Sequence, residues 1–275
     1  MRRLSAAIVL GVGCWSGAAG AAPEPDEAGK VHINAIKNPE LWTYRAIVAG
    51  LDKFDEQHAL APAVPQLLFK VEARGDRAWN GDAPTARIAA DDFSIALQLD
   101  EQRRFTVPRN EAAYDAKAEL VLNRKKREAR VVPWVRTPGL PDNRRRMGDV
   151  RLDCKVMIAI AKEEIPFWVV GLVNGFMLTT DWCSWFKGTT PKGEERNWSN
   201  RVDAELAGAT LREGERSLAL RVDGKAFQVP IGDTSWGNDA LIELEFAPPA
   251  APVTAPADAP DASIRTADGT PRTAP

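Results

Sequence analysis

A chain of 275 residues, 44% hydrophobic and 27% charged, holds material for one large or two ordinary packed domains. Its formal net charge of −2 lacks the overall basic excess that favours binding to nucleic acid or an anionic membrane. Two histidines leave little for metal or triad chemistry.

Residues 1–21 read as an export leader. Arg2 and Arg3 precede an apolar run from Leu4 to Val12, and Ala19-Gly20-Ala21 fits a cleavage site, so the mature chain is expected to begin near Ala22. The run falls far short of the ~20 residues a membrane span needs. Cys14 follows Gly11-Val12-Gly13 and lacks the Leu three positions earlier that marks a lipoprotein. The expected location is periplasmic or secreted. Loss of the leader leaves Cys154 and Cys183, and an even count in an oxidising compartment predicts one disulfide between them.

Segment 22–66 is a polar lead-in followed by a helix. Asn38 as cap and Pro39 at the first helical position predict its start, and Leu41, Tyr44, Ile47, Val48, Leu51 and Phe54 recur at helical spacing. Segment 67–122 is a first β-unit, with strands at 67–73, 87–90, 94–99, Phe105–Val107 and 119–122.

Segment 123–200 opens on a basic stretch. Arg124, Lys125, Lys126, Arg127, Arg130, Arg136, Arg144, Arg145 and Arg146 face only Glu128 and Asp142, and Pro133, Pro138, Gly139 and Pro141 predict loops. Val150, Leu152, Cys154, Val156, Ile158 and Ile160 alternate with mostly polar residues, which predicts a strand with Cys154 on its buried face. Pro166 then opens a strongly apolar run to Leu178, read as a buried helix too short to span a bilayer. A Trp-rich loop with Trp182, Trp185 and Trp198 follows. Segment 201–246 is a second β-unit, with Asp223-Gly224 as a tight turn. The Ala- and Pro-rich tail, 247–275, carries too little apolar surface to fold.

The two β-units repeat one another. Aligned with a one-residue gap after the Asp, the identities are Ser94/Ser217, Ala96/Ala219, Leu97/Leu220, Asp100/Asp223, Phe105/Phe227, Val107/Val229, Pro108/Pro230, Ala118/Ala240 and Leu122/Leu244. A strand, an Asp turn, Phe-x-Val-Pro and a second strand resemble the carboxypeptidase-regulatory-like, transthyretin-like β-sandwich modules of exported bacterial proteins. The first copy departs from that pattern, with Gln102-Arg103 where a turn glycine belongs. The resemblance implies a small antiparallel sandwich without catalytic residues. The expected fold is therefore mainly β within α+β. It comprises duplicated antiparallel β-sandwich units, an N-terminal helix and one buried central helix.

Reactive chemistry has little footing. His32 and His58 stand apart, and there is no CxxC, no GxSxG and no glycine-rich loop leading into a helix. No metal or cofactor is expected. Asp91-Asp92 and Glu163-Glu164 are adjacent carboxylate pairs, and neighbours in sequence rarely converge. Trp182, Trp185 and Trp198 have flat faces suited to sugar rings, although packing around the disulfide is the plainer reading. Arg124, Lys125, Lys126, Arg127, Arg144, Arg145 and Arg146 are suited to phosphates of an anionic polymer, although a solvated basic face is plainer. The expectation is a non-enzymatic envelope module that binds or scaffolds a cell-envelope polymer or protein. It has no nucleic-acid partner and no transmembrane segment in the mature chain. The alternative is a glycan-binding or carbohydrate-active protein using the Trp loop.

Overall fold

The computed structural model describes residues 38–74, 82–190 and 193–248. The expected leader over 1–21, His32, the rest of the lead-in to residue 37 and the tail from 249 onward lie outside the described residues. The chain runs through β1 (Pro39–Thr43), α1 (Tyr44–Glu56), β2 (Leu68–Ala73), β3 (Ala86–Ala89), β4 (Ser94–Leu97) and β5 (Arg104–Phe105). Next come α2 (Glu111–Asp115), β6 (Glu119–Lys125), β7 (Ala129–Trp134), β8 (Arg144–Arg146), α3 (Met147–Glu164) and α4 (Phe167–Met177). A 3-10 turn (Trp182–Trp185), β9 (Gly188–Thr189), β10 (Glu195–Arg196), β11 (Trp198–Arg201) and β12 (Leu206–Glu213) follow. The last strands are β13 (Arg216–Ala219), β14 (Val222–Asp223), β15 (Ala226–Val229) and β16 (Leu241–Phe246). The sheets are antiparallel, with orders β1-β6-β3-β4, β5-β2-β7, β13-β12-β16-β8, β11-β15-β14 and β10-β9. The fold is mainly β within α+β, as the sequence predicts.

The repeat holds at the level of register. Ile88 on β3 stands between Ile95 on β4 and Leu120 on β6. Leu211 on β12 stands between Leu218 on β13 and Ile242 on β16. These six positions are equivalent under the sequence alignment extended by strand pairing. The correspondence also reaches beyond the repeated sequence. Trp42 on β1 pairs with Leu120 as Arg145 on β8 pairs with Ile242. The Tyr44 N–H donates to Ala118 O at 2.8 Å, and the Met147 N–H donates to Ala240 O at 2.8 Å. Each of those bonds marks the first residue of a helix, α1 in one copy and α3 in the other. The unit is therefore strand, helix and strands, and residues 144–164 belong to it rather than to an unrelated middle.

This corrects the strand expected over 150–160, which is α3. Its even-numbered apolar residues split into two helical stripes. Val150 and Cys154, with Ile158 alongside, join the core around Phe227 and Ile242, which Met147 at the helix start also enters. Leu152, Val156 and Ile160 join the core around Ile47 and Phe69. Two stripes on opposite sides of a helix, each stepping by four residues, interleave into a period of two. That period is the strand signature. Gly50 on α1 allows close packing against α3, since an added Cβ would lie 2.8 Å from the Ile160 side chain.

Three other expectations change. The first helix starts at Tyr44, with the Thr43 Oγ1 accepting from the Ala46 N–H at 3.2 Å; Asn38 and Pro39 do not cap it. Residues 39–43 are spent on pairing with β6, and Pro39 sits on the edge strand, where no ladder donor is needed. The basic stretch is less loop-like than its prolines suggest. Arg130 and Pro133 lie on β7, again an edge, and Arg144–Arg146 form β8. Finally, the apolar run is a helix but is not buried. The buried central helix is α3, and α4 has no buried residue.

Candidate functional site

His58, Glu163 and Glu164 each hold a structural contact. His58 Nε2 lies 2.7 Å from the Val64 carbonyl oxygen, and its ring packs near Phe54. Among the described residues, no three His, Cys, Asp or Glu side chains are grouped to hold a metal ion. Glu164 accepts from the Thr43 N–H and hydroxyl at 2.9 and 2.8 Å, and Glu163 pairs with Arg45 at 3.4 Å. That carboxylate pair ties the end of α3 to the start of α1.

Cys154 and Cys183 form the expected disulfide, with Cα atoms 6.1 Å apart. It anchors the 3-10 turn to α3 rather than to a sheet. Between α3 and β11 the second copy carries α4, this turn, β9 and β10, where the first copy has only the short connection from α1 to β2. The tryptophans are divided. The Trp182 indole N–H donates to Asn174 Oδ1 at 2.8 Å, and the Lys162 ammonium lies 4.8 Å from its ring centre. Trp185 packs against Phe176 and carries the Arg196 guanidinium 3.9 Å from its centre. Trp198 meets Phe186 edge to face and packs against the second core, with its buried indole N–H unpartnered. The three do not form one exposed platform.

Along α4 the outer face is bare hydrocarbon and aromatic surface. Phe167 is 87% exposed, Trp168 62%, Leu172 69% and Phe176 77%. Asn174, the one amide side chain of the helix, is turned to Trp182. The exposure went unseen in the sequence because hydropathy reports what a run prefers and not what covers it.

The basic residues are also divided. Arg124 donates to the Asp82 carbonyl and Lys125 lies 3.6 Å from Glu128. Arg144 pairs with Glu243 at 3.1 Å, and Arg146 with Asp239 and Asp149. Lys126 and Arg127 lie exposed in the turn between β6 and β7. Arg145 points the other way, as alternation along β8 requires. It is 6% exposed, its guanidinium carbon stands 4.7 Å from the Trp134 ring centre, and its Nε is buried without a hydrogen-bond partner. Burial, reinforced by the Arg136 charge, holds its pKa below the usual arginine value.

Arg145 belongs to a cavity of about 450 Å³ that the sequence did not disclose. Lys70, 3% exposed on β2, lies 4.7 Å from the other residue's partner ring, Trp134, and its ammonium bonds Asp203 at 2.7 Å. Arg104 and Arg136 complete the cationic wall, and Asp142 and Asp203 lie at the solvent side. Arg104 is held by Asp100 at 2.7 Å and Arg136 by the Pro141 carbonyl at 2.7 Å. Val202, Ala204 and Phe246 supply an apolar edge. These residues come from distant segments, and only the basic count around 124–146 hinted at them.

No family model, no curated protein and no solved structure matches this chain.

Proposed function

We propose that this is a non-enzymatic, exported envelope module that rests on a lipid bilayer surface through α4 and scaffolds there. The exposed apolar face of α4 carries this reading. Phe167, Trp168, Leu172, Phe176 and Leu178 offer no hydrogen-bonding rim apart from one indole N–H, which suits hydrocarbon better than a protein partner. The 11 residues of α4 extend about 16 Å, roughly half a bilayer's hydrocarbon thickness, so the helix would lie in the interface. Among the described residues no helix is long and apolar enough to cross a membrane. Beside α4, Trp182 with Lys162 and Trp185 with Arg196 pair aromatic rings with cations, the side-chain types favoured at headgroup level. The disulfide fits an oxidising compartment.

Vesicle flotation tests the reading, using phosphatidylcholine with and without phosphatidylglycerol. The protein is expected to float with both, and the Trp168→Asp/Leu172→Asp/Phe176→Asp variant to stay at the bottom with an unchanged circular dichroism spectrum. A protein that ignores vesicles overturns the reading. So does a dimer that the same substitutions convert to monomer, because a second copy would then be the occupant of α4.

A further inference from the structure

We propose that the cavity around Trp134 is a binding site for a dianionic oxyanion, specifically the phosphate of a phosphate monoester. The inference is independent of bilayer docking through α4. Lys70, Arg104, Arg136 and Arg145 line the cavity against Asp142 and Asp203, so the lining itself carries two positive charges in excess, with Asp100 behind it already holding Arg104. Arg145 is the anchor. No carboxylate among the described residues lies within ion-pair distance of it, and its buried Nε–H lacks an acceptor. A buried, unpaired guanidinium is costly, and an oxyanion accepting from it would relieve that cost. Its fork of donors fits phosphate oxygens, while the Lys70 ammonium serves as a point charge beside it.

Stacking on Trp134 keeps both cations in place before any ligand arrives. The indole and the Val202, Ala204 and Phe246 edge give the organic part of an ester an apolar surface, which inorganic phosphate would leave unused. Asp203 occupies the Lys70 ammonium in the meantime. Its side chain is 69% exposed and free to turn outward when a stronger anion enters.

The second copy of the fold gives a physical reason for the site's position. Arg145 occupies the register position that Trp42 fills in the first copy. A buried arginine has thus taken an apolar position, and the gap beside it faces Trp134.

Calorimetric titration with glycerol 1-phosphate, pyrophosphate and acetate tests the proposal. The phosphates are expected to bind and acetate to bind far more weakly. Arg145→Gln and Lys70→Gln should each weaken glycerol 1-phosphate binding roughly 10- to 100-fold, the loss of a charge-assisted contact. Arg144→Gln, on the opposite face of β8, should leave it unchanged. Asp203→Asn should tighten binding, an outcome that a purely structural role for the pair would not produce. Should Arg145→Gln fail to fold, Arg104→Gln and Arg136→Gln at the wall carry the same expectation. Phosphatidic acid vesicles, offered to the protein with α4 substituted as above, distinguish a lipid headgroup from a soluble ester. Absence of binding to both phosphate sources at millimolar concentration overturns the site. Equal loss in Arg144→Gln, or acetate binding as tightly as the ester, does so too.

Discussion

Leu152 and Cys154 sit two residues apart on α3 and belong to different cores. Leu152 packs with the core that holds Ile47 and Phe69, and Cys154 with the one that holds Phe227 and Ile242. Two residues along a helix turn the side chain by about 200°, so α3 is a wall shared by both copies of the repeat. Its equivalent, α1, packs against it, with Gly50 set against the Ile160 and Val156 side chains.

Truncating this wall should be expensive. Leu152 is fully buried, so Leu152→Ala is expected to cost about 2–5 kcal/mol through lost burial and the cavity left behind. Urea unfolding followed by circular dichroism checks it. The midpoint should fall without a change in slope.

Gly148 on α3 and Gly171 on α4 should respond in opposite ways. At Gly148 an added Cβ would lie 2.0 Å from the Leu60 carbonyl oxygen, a backbone atom that cannot step aside. Gly148→Ala is expected to destabilise by about 1–3 kcal/mol or more, as overpacking does. At Gly171 nothing lies within 4 Å, and Gly171→Ala should stabilise the protein by about 0.5–1 kcal/mol. Thermal melts of the two variants give the comparison.

The disulfide holds the excursion that carries α4. Cys154 and Cys183 are 29 residues apart, and replacing both by Ser should cost about 2–4 kcal/mol. Limited proteolysis should then cut first between Ile165 and Trp198, where the excursion loses its tie to α3.

Asp153 should impose a pH slope on stability. It is half-buried at its surface but surrounded by protein, and burial pushes its carboxyl from 3.8 up to about 7. Glu72 reinforces the rise, while Arg145 and Arg130 oppose it. The folded protein therefore holds this proton more tightly than the unfolded chain does. The group's contribution is fully present below the unfolded value of 3.8 and is lost as pH rises toward about 7. Asp153→Asn should remove that part of the slope. Urea midpoints of both proteins at about pH 5 and about pH 8 decide it, the gap between them changing with pH only if Asp153 titrates in this range.

Much of the β architecture is written locally. Ala118 and Leu122 match Ala240 and Leu244, with Leu120 and Ile242 between them, because a strand buries every second residue, and that period survives in a single sequence. The cysteine pair was legible because the reading of residues 1–21 as a leader left an even count, Cys154 and Cys183. The larger repeat was not legible. Tyr44 and Met147 share a position without sharing chemistry, and the matching bonds to Ala118 and Ala240, with the strand register beside them, disclose it. Thr43 as the helix cap was hidden by Asn38 and Pro39, which carry the stronger local signal.

What the amino-acid order determined by itself was periodicity: where strands alternate, where turns fall and which cysteines remain to pair. Tertiary structure decided what each apolar or charged face meets. Burial on two sides turned a strand-like pattern into α3, and lack of cover turned a core-like run into the exposed face of α4. Lys70, Trp134 and Arg145 are brought together by strand pairing across distant segments. Their electrostatics depend on desolvation and distance, which are properties of assembled surfaces and leave no local trace in the chain.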